Sequence, residues 1–369
     1  MAMSVLADRL AIEGLEVHYI PLECPETSPG SIRFHQTGWL TTTAHKRRSK
    51  RALAKFRNIV EKSSPKASAF LSTRLHKVLA RGYERALSDA DADVHIQVVA
   101  GAQTAYVANF CKRKKKPLIF RSTSLWDADL TFKWGWTSWR DDTKELYLQG
   151  IRRADIVAAN SMDTARAFAK HVDEDRIRFI PDGFHVLPCP DLARDDGFVL
   201  WVGRDAAYKR AWLFADLARM LPKHQFVMVG DIHSVSNVPP NLHLLGSIEP
   251  GRLAELYSRA KVLVNTSEVE GFPNVLVEGA MYGVPYLSFL DPDGVLTKYS
   301  LGIHARSLDE MAAEIHALMS IEDSRLVLGK NARRFVEEHR DIEKVVKEWL
   351  NLFTELDRKD ARRTDTCLR

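Results

Sequence analysis

Cysteine is scarce: Cys24, Cys111, Cys189 and Cys367 are scattered along 369 residues, without the paired spacing of a zinc site or a redox motif. They read as four unrelated thiols of a reducing compartment. Long apolar runs are missing too. No uninterrupted stretch approaches the ~20 residues needed to span a bilayer, and the first residues do not form a signal peptide, so a cytoplasmic chain is expected. No nucleic-acid recognition motif accompanies the basic residues, and nucleic acid is set aside as a partner. What remains is an ordinary soluble composition, 45% apolar and 27% charged with a net charge of +5. The chain is long enough for two cores of typical domain size.

The modest net charge conceals clustering. Lys46, Arg47, Arg48, Lys50, Arg51, Lys55 and Arg57 precede a second run, Lys112 to Lys116, all in the first third of the chain. Such runs are commonly solvated faces. The functional alternative is attraction to an anionic membrane surface or a polyanionic acceptor, at roughly 1 kcal/mol per basic group near such a surface. Asp89, Asp91 and Asp93 form a DxDxD string, but it stands just before a strand, at the edge opposite the strand ends where parallel sheets bind ligands. No metal site is expected.

The most informative stretch runs from Glu270 to Pro285 (EGFPNVLVEGAMYGVP), after the apolar strand candidate Lys261 to Thr266. Gly271 permits a sharp bend, Pro273 suits the first turn of a helix and Gly283 stops it. Strand, turn and helix N-terminus together expose unpaired N–H groups at the positive end of a helix dipole, a seat for phosphate or carboxylate. Glu270 and Glu278 flank this seat, eight residues apart, and share one helical face if the helix begins early enough. A ligand with phosphates and hydroxyls, such as a sugar nucleotide, suits that arrangement. The competing reading is an ordinary strand-turn-helix with two solvated glutamates.

Elsewhere strand and helix candidates alternate. Strands are read at Leu15 to Leu22, Asp93 to Val99, Pro117 to Arg121, Ala154 to Ser161 and Arg176 to Phe184, then at Phe198 to Arg204, Gln225 to Asp231, Leu242 to Gly246 and Tyr286 to Leu290. Helical patterns lie between them, with a break expected at Pro65 and a final amphipathic helix over Ile342 to Leu356. Such alternation implies parallel sheets with crossover helices. After Pro117 to Arg121 comes a loop with Trp126, Trp134, Trp136 and Trp139 within 14 residues. Tryptophans mixed with Arg121, Asp127 and Asp129 suit stacking on sugar rings or a lipid interface, although packing into a core is as common a use.

The string Glu-Gly-Phe-Pro-Asn, then Glu278, then Ala280 to Pro285, resembles the Glu-x7-Glu signature of the retaining glycosyltransferases of family 4. Similar echoes occur at Ala154 to Ser161, at Pro181–Asp182–Gly183, and at Gly203, Arg204 and Lys209. The resemblance implies an α/β GT-B fold, two doubly wound Rossmann-like domains facing each other across a cleft. Its parts would be an acceptor-side domain at 1–185, a linker at 186–196, a donor domain at 197–340, and a C-terminal helix and tail at 341–369 packing back on the first domain. The implied reaction moves a sugar from a nucleoside-diphosphate sugar to a hydroxyl of a glycan, lipid-linked or envelope acceptor, with no cofactor and no metal. Glu270, Arg204 and Lys209 would carry catalysis. Gly203, Gly271, Phe272, Pro273, Asn274, Val275 and Glu278 would bind the donor, and Arg121, Trp126 and Asp127 would face the acceptor.

Several departures from the family pattern are visible. The usual first strand and glycine-rich loop have no counterpart, Ser122 to Ser124 occupy the neighbourhood of a donor-contacting histidine, Asp182 replaces an asparagine and Ala211 a glycine. These leave open a non-catalytic sugar-nucleotide-binding protein, or an epimerase or phosphorylase on the same fold.

Overall fold

The computed structural model describes residues 2–19, 32–34, 65–186 and 197–366. The basic segment Lys46 to Arg57 and nearly all of the expected linker lie outside the described residues. Among the described residues no helix is long and apolar enough to cross a membrane, and no cluster of His, Cys, Asp or Glu is placed to hold a metal.

The first domain contains strands β1 (Val17–Tyr19), β2 (Ile32–Phe34), β3 (His95–Val98), β4 (Leu118–Arg121), β5 (Ile156–Ala159) and β6 (Ile177–Phe179). Strands β3 to β6 form one parallel sheet in sequence order, while β1 and β2 pair separately, also in parallel. β4 and β5 are buried at every position, as near-continuous apolar runs between helical layers should be. β3 instead alternates, with His95 and Gln97 buried and Ile96 and Val98 half-buried. Those half-buried residues look into a cavity of about 620 Å³ between the two sheets, lined also by Leu6, Leu10, Val17 and Phe353. Asp89, Asp91 and Asp93 stand on its wall, just before the start of β3. The sequence reading missed β2, a three-residue strand that follows a stretch rich in turn-forming residue types, 25–30. The helix Pro65–Ala90 starts at the proline marked as a break, a position where the missing N–H costs nothing.

The second domain is one six-stranded parallel sheet: β7 (Val199–Val202), β8 (Phe226–Val229), β9 (Leu242–Leu244), β10 (Val262–Asn265), β11 (Tyr286–Ser288) and β12 (Gly302–His304). The spatial order is β12-β11-β10-β7-β8-β9. The chain therefore winds outward in one direction from β7 and in the other from β10. The crevice beyond the carboxyl ends of those two neighbours is the topological switch point, where open α/β sheets place their ligands.

The two domains meet at several points. Phe184 and Asp341 pair as an isolated parallel bridge where the chain enters the second domain and where it leaves. The helix Ile342–Thr366 then crosses back, laying Ile342, Val345, Val346, Trp349, Leu352 and Leu356 against Leu6, Leu10, Ile119, Ile156, Ala158 and Ile180. The end of the chain thus completes the core of its beginning. A reciprocal cap adds a polar tie: the N–H groups of Met162 and Asp163 donate to the Asp293 carboxylate at 3.0 and 2.8 Å, and the Asp293 N–H donates to the Asp163 carboxylate at 2.8 Å.

Candidate active site

The loops after β7 and β10 lie side by side and are sewn together. Trp201 Nε1 donates to Thr266 Oγ1 at 3.0 Å, and Thr266 Oγ1 donates to the Lys209 carbonyl at 2.6 Å. Arg210 Nε donates to the Thr266 carbonyl at 2.7 Å, and the Glu268 N–H donates to the Tyr208 carbonyl at 2.7 Å. Backbone groups that would otherwise be stranded at two strand ends are thereby paired, and the loops become one rigid platform.

On that platform Lys209 and Glu270 form an ion pair, with side chains only 15% and 14% exposed. Ser267 Oγ donates to the same Glu270 oxygen at 2.8 Å. The helix Asn274–Met281 begins four residues after Glu270, with Asn274 exposed at its start. Glu270 therefore belongs to the turn, and the expectation that both glutamates share a helical face is corrected: the chain is extended at Pro273, so no helical register connects them. Glu278 lies on the helix, half-buried, where it accepts a hydrogen bond from the buried Tyr257 hydroxyl at 2.8 Å. Burial pushes the Glu278 carboxyl up from its ordinary range, and the Tyr257 bond opposes that shift.

The remaining donor-side residues are contiguous with this pair. Gly203 and exposed Arg204 follow β7, and Arg204 has no hydrogen bond or ion pair to another described residue. Phe272 and Pro273 are buried, and Val275 is half-buried. Gly271 is where the second domain presses on the first: a side chain there would meet Asn160 Oδ1 at 3.1 Å and the Thr123–Ser124 backbone at 3.3 Å. A larger side chain there would need these neighbours to give by a few tenths of an ångström.

The acceptor-side set divides. Arg121 is 1% exposed; it donates to the Ile180 carbonyl and to Asp182 at 2.7 Å, beneath the Trp349 ring. Asp127 is fully buried, accepting from the Thr123 and Ser124 N–H groups at 2.9 and 3.2 Å and from Trp136 Nε1 at 3.2 Å. Burial raises its carboxyl to about 6 against those bonds. Both are corrected from surface to interior: they shape the loop and cannot themselves touch an acceptor. Trp126 does reach the cleft, its ring 5.2 Å from that of Tyr208 in the other domain. Trp136 and Trp139 stack at 4.9 Å and lead inward to Tyr147, leaving Trp134, at 49%, the most exposed of the four.

The basic run Lys112 to Lys116 ends the helix Gln103–Lys114 and precedes β4, whereas the tryptophan loop follows β4. They lie at opposite ends of that strand, roughly 13 Å apart at ~3.3 Å per residue. Cations also suit a helix C-terminus without any partner.

Sequence reasoning missed Tyr257, Ser267, Tyr208, Arg210 and Asn160. Tyr208 and Arg210 adjoin Lys209, and Ser267 lies three residues before Glu270, so the clue was proximity. Tyr257 and Asn160 gave no local signal, because tertiary folding alone brings them to the site.

Comparison with known proteins agrees with this geometry. Residues 190–335 match the model of the family described as glycosyl transferases group 1. Among curated proteins, the chain is 27% identical over 178 residues, 44% of its length, to the GalNAc-alpha-(1->4)-GalNAc-alpha-(1->3)-diNAcBac-PP-undecaprenol alpha-1,4-N-acetyl-D-galactosaminyltransferase of Campylobacter jejuni. It is 25% identical over 234 residues, 55% of its length, to the alpha-galactosylglucosyldiacylglycerol synthase of Streptococcus pneumoniae. The matches span 49% and 61% of those relatives' own lengths. Among solved structures, the sucrose-phosphate synthase of Thermosynechococcus elongatus superposes with a TM-score of 0.72 at 17% identity, over 97% of this chain and 93% of that one. The two-domain GT-B architecture is thus present across the chain, and its second half, which holds the Lys209–Glu270 pair and the Glu278 helix, is the part that matches the glycosyl transferases group 1 model.

Proposed function

We propose that the protein is a glycosyltransferase that moves a sugar from a nucleoside-diphosphate sugar to a hydroxyl of a glycan or lipid-linked acceptor, with retention at the anomeric carbon. The observation that carries this reading is the half-buried Lys209–Glu270 pair at the switch point, beside the N-terminus of the helix Asn274–Met281. The bond that breaks joins the anomeric carbon to a diphosphate oxygen, and negative charge grows on that oxygen. Lys209, Arg204 and the N–H groups at the helix start would meet that charge as it develops, which is where stabilisation accelerates a reaction. The acceptor oxygen bonds to the anomeric carbon, and its proton passes to the departing phosphate or to water.

Glu278, oriented by Tyr257, would accept from the ribose hydroxyls. Glu270, fixed by Lys209 and Ser267, would hold the donor sugar at its reacting carbon. The leaving diphosphate is a good one, so a general acid of the glycosidase kind is not required. Relatives named for an undecaprenol-linked glycan and a glycosyl diacylglycerol support a lipid-linked acceptor. Exposed Lys112, Arg113, Lys114 and Lys115 would favour an anionic membrane over a neutral one. Sedimentation with anionic vesicles, weakening as salt rises, tests that attraction.

The decisive experiment follows release of nucleoside diphosphate from a panel of donor sugars, with and without acceptor. A transferase releases it only when acceptor is present, whereas an epimerase or a binding protein does not. Glu278→Ala should weaken nucleotide binding and Glu270→Ala should mainly lower turnover. Unchanged affinity in Glu278→Ala removes its ribose role.

A further inference from the structure

At Arg340 the helix Glu322–His339 ends and the chain turns back toward the first domain. Its carbonyl accepts the Phe184 N–H at 2.8 Å, and the Ile342 N–H donates to the Phe184 carbonyl at 3.0 Å. These bonds bracket the two chain crossings between domains. The Arg340 side chain runs elsewhere. Its guanidinium carbon lies 3.7 Å from the centroid of the Phe272 ring and 5.8 Å from that of Phe335. Phe272 follows Gly271 in the turn that holds Glu270, and its ring stacks on Phe335.

This guanidinium is costly to keep. Arg340 is 2% exposed, and Nε and Nη1 have no hydrogen-bond partner among the described residues. Asp182 and Asp293 act on it electrostatically, yet their oxygens bond to Arg121 and Asn160 and to the Met162 and Asp163 amides. Burial pushes the Arg340 pKa down to about 10, so it remains a cation at neutral pH. A buried cation without a bonded carboxylate is poor value for stability, and an apolar side chain of similar length commonly serves a fold as well or better. What the arginine supplies that an apolar chain would not is a cation on the Phe272 face.

We propose that Arg340 is a positioning residue for the donor turn: its main chain forms the hinge, its side chain clamps Phe272, and the setting of the hinge is thereby carried to Glu270 and the helix N-terminus. The proposal rests on the donor-site reading above. Arg340→Met and Arg340→Lys test it through thermal midpoint, amide exchange over residues 270–276, affinity for a panel of UDP, GDP and ADP, and turnover with the accepted donor. For Arg340→Met the midpoint should be unchanged or higher, while turn amides exchange about tenfold faster as the cation–π clamp is lost. Diphosphate affinity should stay within about threefold, and turnover should fall about tenfold or more, because small displacements are amplified in rate. Arg340→Lys should recover part of both. Turn amides that exchange at the parent rate, or a turnover loss that merely tracks the unfolded fraction, would overturn the clamp. If the parent protein binds no nucleoside diphosphate, the donor-site reading fails instead, and amide exchange alone decides the fate of the clamp.

Discussion

The second domain keeps its six strands in one sheet and hangs its polar site from two adjacent strand ends, whereas the first, among the described residues, divides its strands between a four-stranded sheet and a separate pair with a cavity between them. The faces they turn to the cleft differ in the same sense. One offers Lys209, Glu270, Ser267 and a helix N-terminus in a hydrogen-bonded platform; the other offers Trp126 on an aromatic stack rooted in its core. Charge that must meet a leaving diphosphate needs fixed dipoles and ions. Recognition of a sugar or lipid acceptor asks more for shape and apolar surface. The division of labour predicts that damage to one domain's packing and damage to the other's charges are separable.

Trp349→Ala should test that separation most severely. The ring is 1% exposed in the core shared by the last helix and the first domain, so its loss should cost about 3–5 kcal/mol in chemical denaturation. Nucleoside-diphosphate affinity, measured where the protein is folded, should not change. Lys209→Ala is the complementary test: turnover should drop about 10²-fold, near 2.7 kcal/mol, with little change in the denaturation midpoint. Equal losses of stability and activity in either variant would mean that the domains do not divide the work.

Acidity sharpens the comparison further. Asp127 carries a carboxyl raised to about 6, chiefly by burial, so the folded state holds its proton where the unfolded chain would release it. Its contribution to stability is complete below the ordinary carboxylate pKa near 4 and is lost as pH rises through 6. Over that window it should amount to roughly 1–3 kcal/mol. Denaturation curves between pH 4 and 6 should flatten in Asp127→Asn. The smallest effect is expected for Tyr257→Phe, which removes one hydrogen bond to Glu278. Calorimetry should show diphosphate binding weakened about fivefold, near 1 kcal/mol.

The two domains were also legible to different degrees. In the second, Gly203, Gly271, Pro273 and Gly283 mark turns and helix ends, features set by a few neighbouring residues and therefore written locally. In the first, Arg121 and Asp127 carry the same formal charges as site residues. Arg121 is held by Ile180 and Asp182, about sixty residues on, which no local pattern reveals, whereas Asp127 closes a local capping box with Ser124 that the sequence reading passed over. The spacing between Lys112 to Lys116 and the tryptophans was hidden for a related reason. Residues close in sequence were treated as close in space, although one strand separates them. Helices and most strands followed from periodicity or apolar runs; β2, just after the turn-forming residues 25–30, and β12, with Ile303 as its one apolar side chain, stood out by neither.

The crossing of the last helix has a consequence for how the molecule is made. A ribosome delivers the first domain's sheet early, but Trp349, Val346 and Leu352, which cover Ile119, Ile156 and Ile180, arrive only with the end of the chain. The second domain has nearly all of its core between Phe198 and Val336 and can close before then. Translation at ~5–20 residues per second leaves about 8–30 s between Ile180 and Ile342, during which the earlier-made domain presents an uncovered apolar face. The half of the protein synthesised first is thus the last to be finished, and that interval is when a nascent-chain chaperone has most to cover.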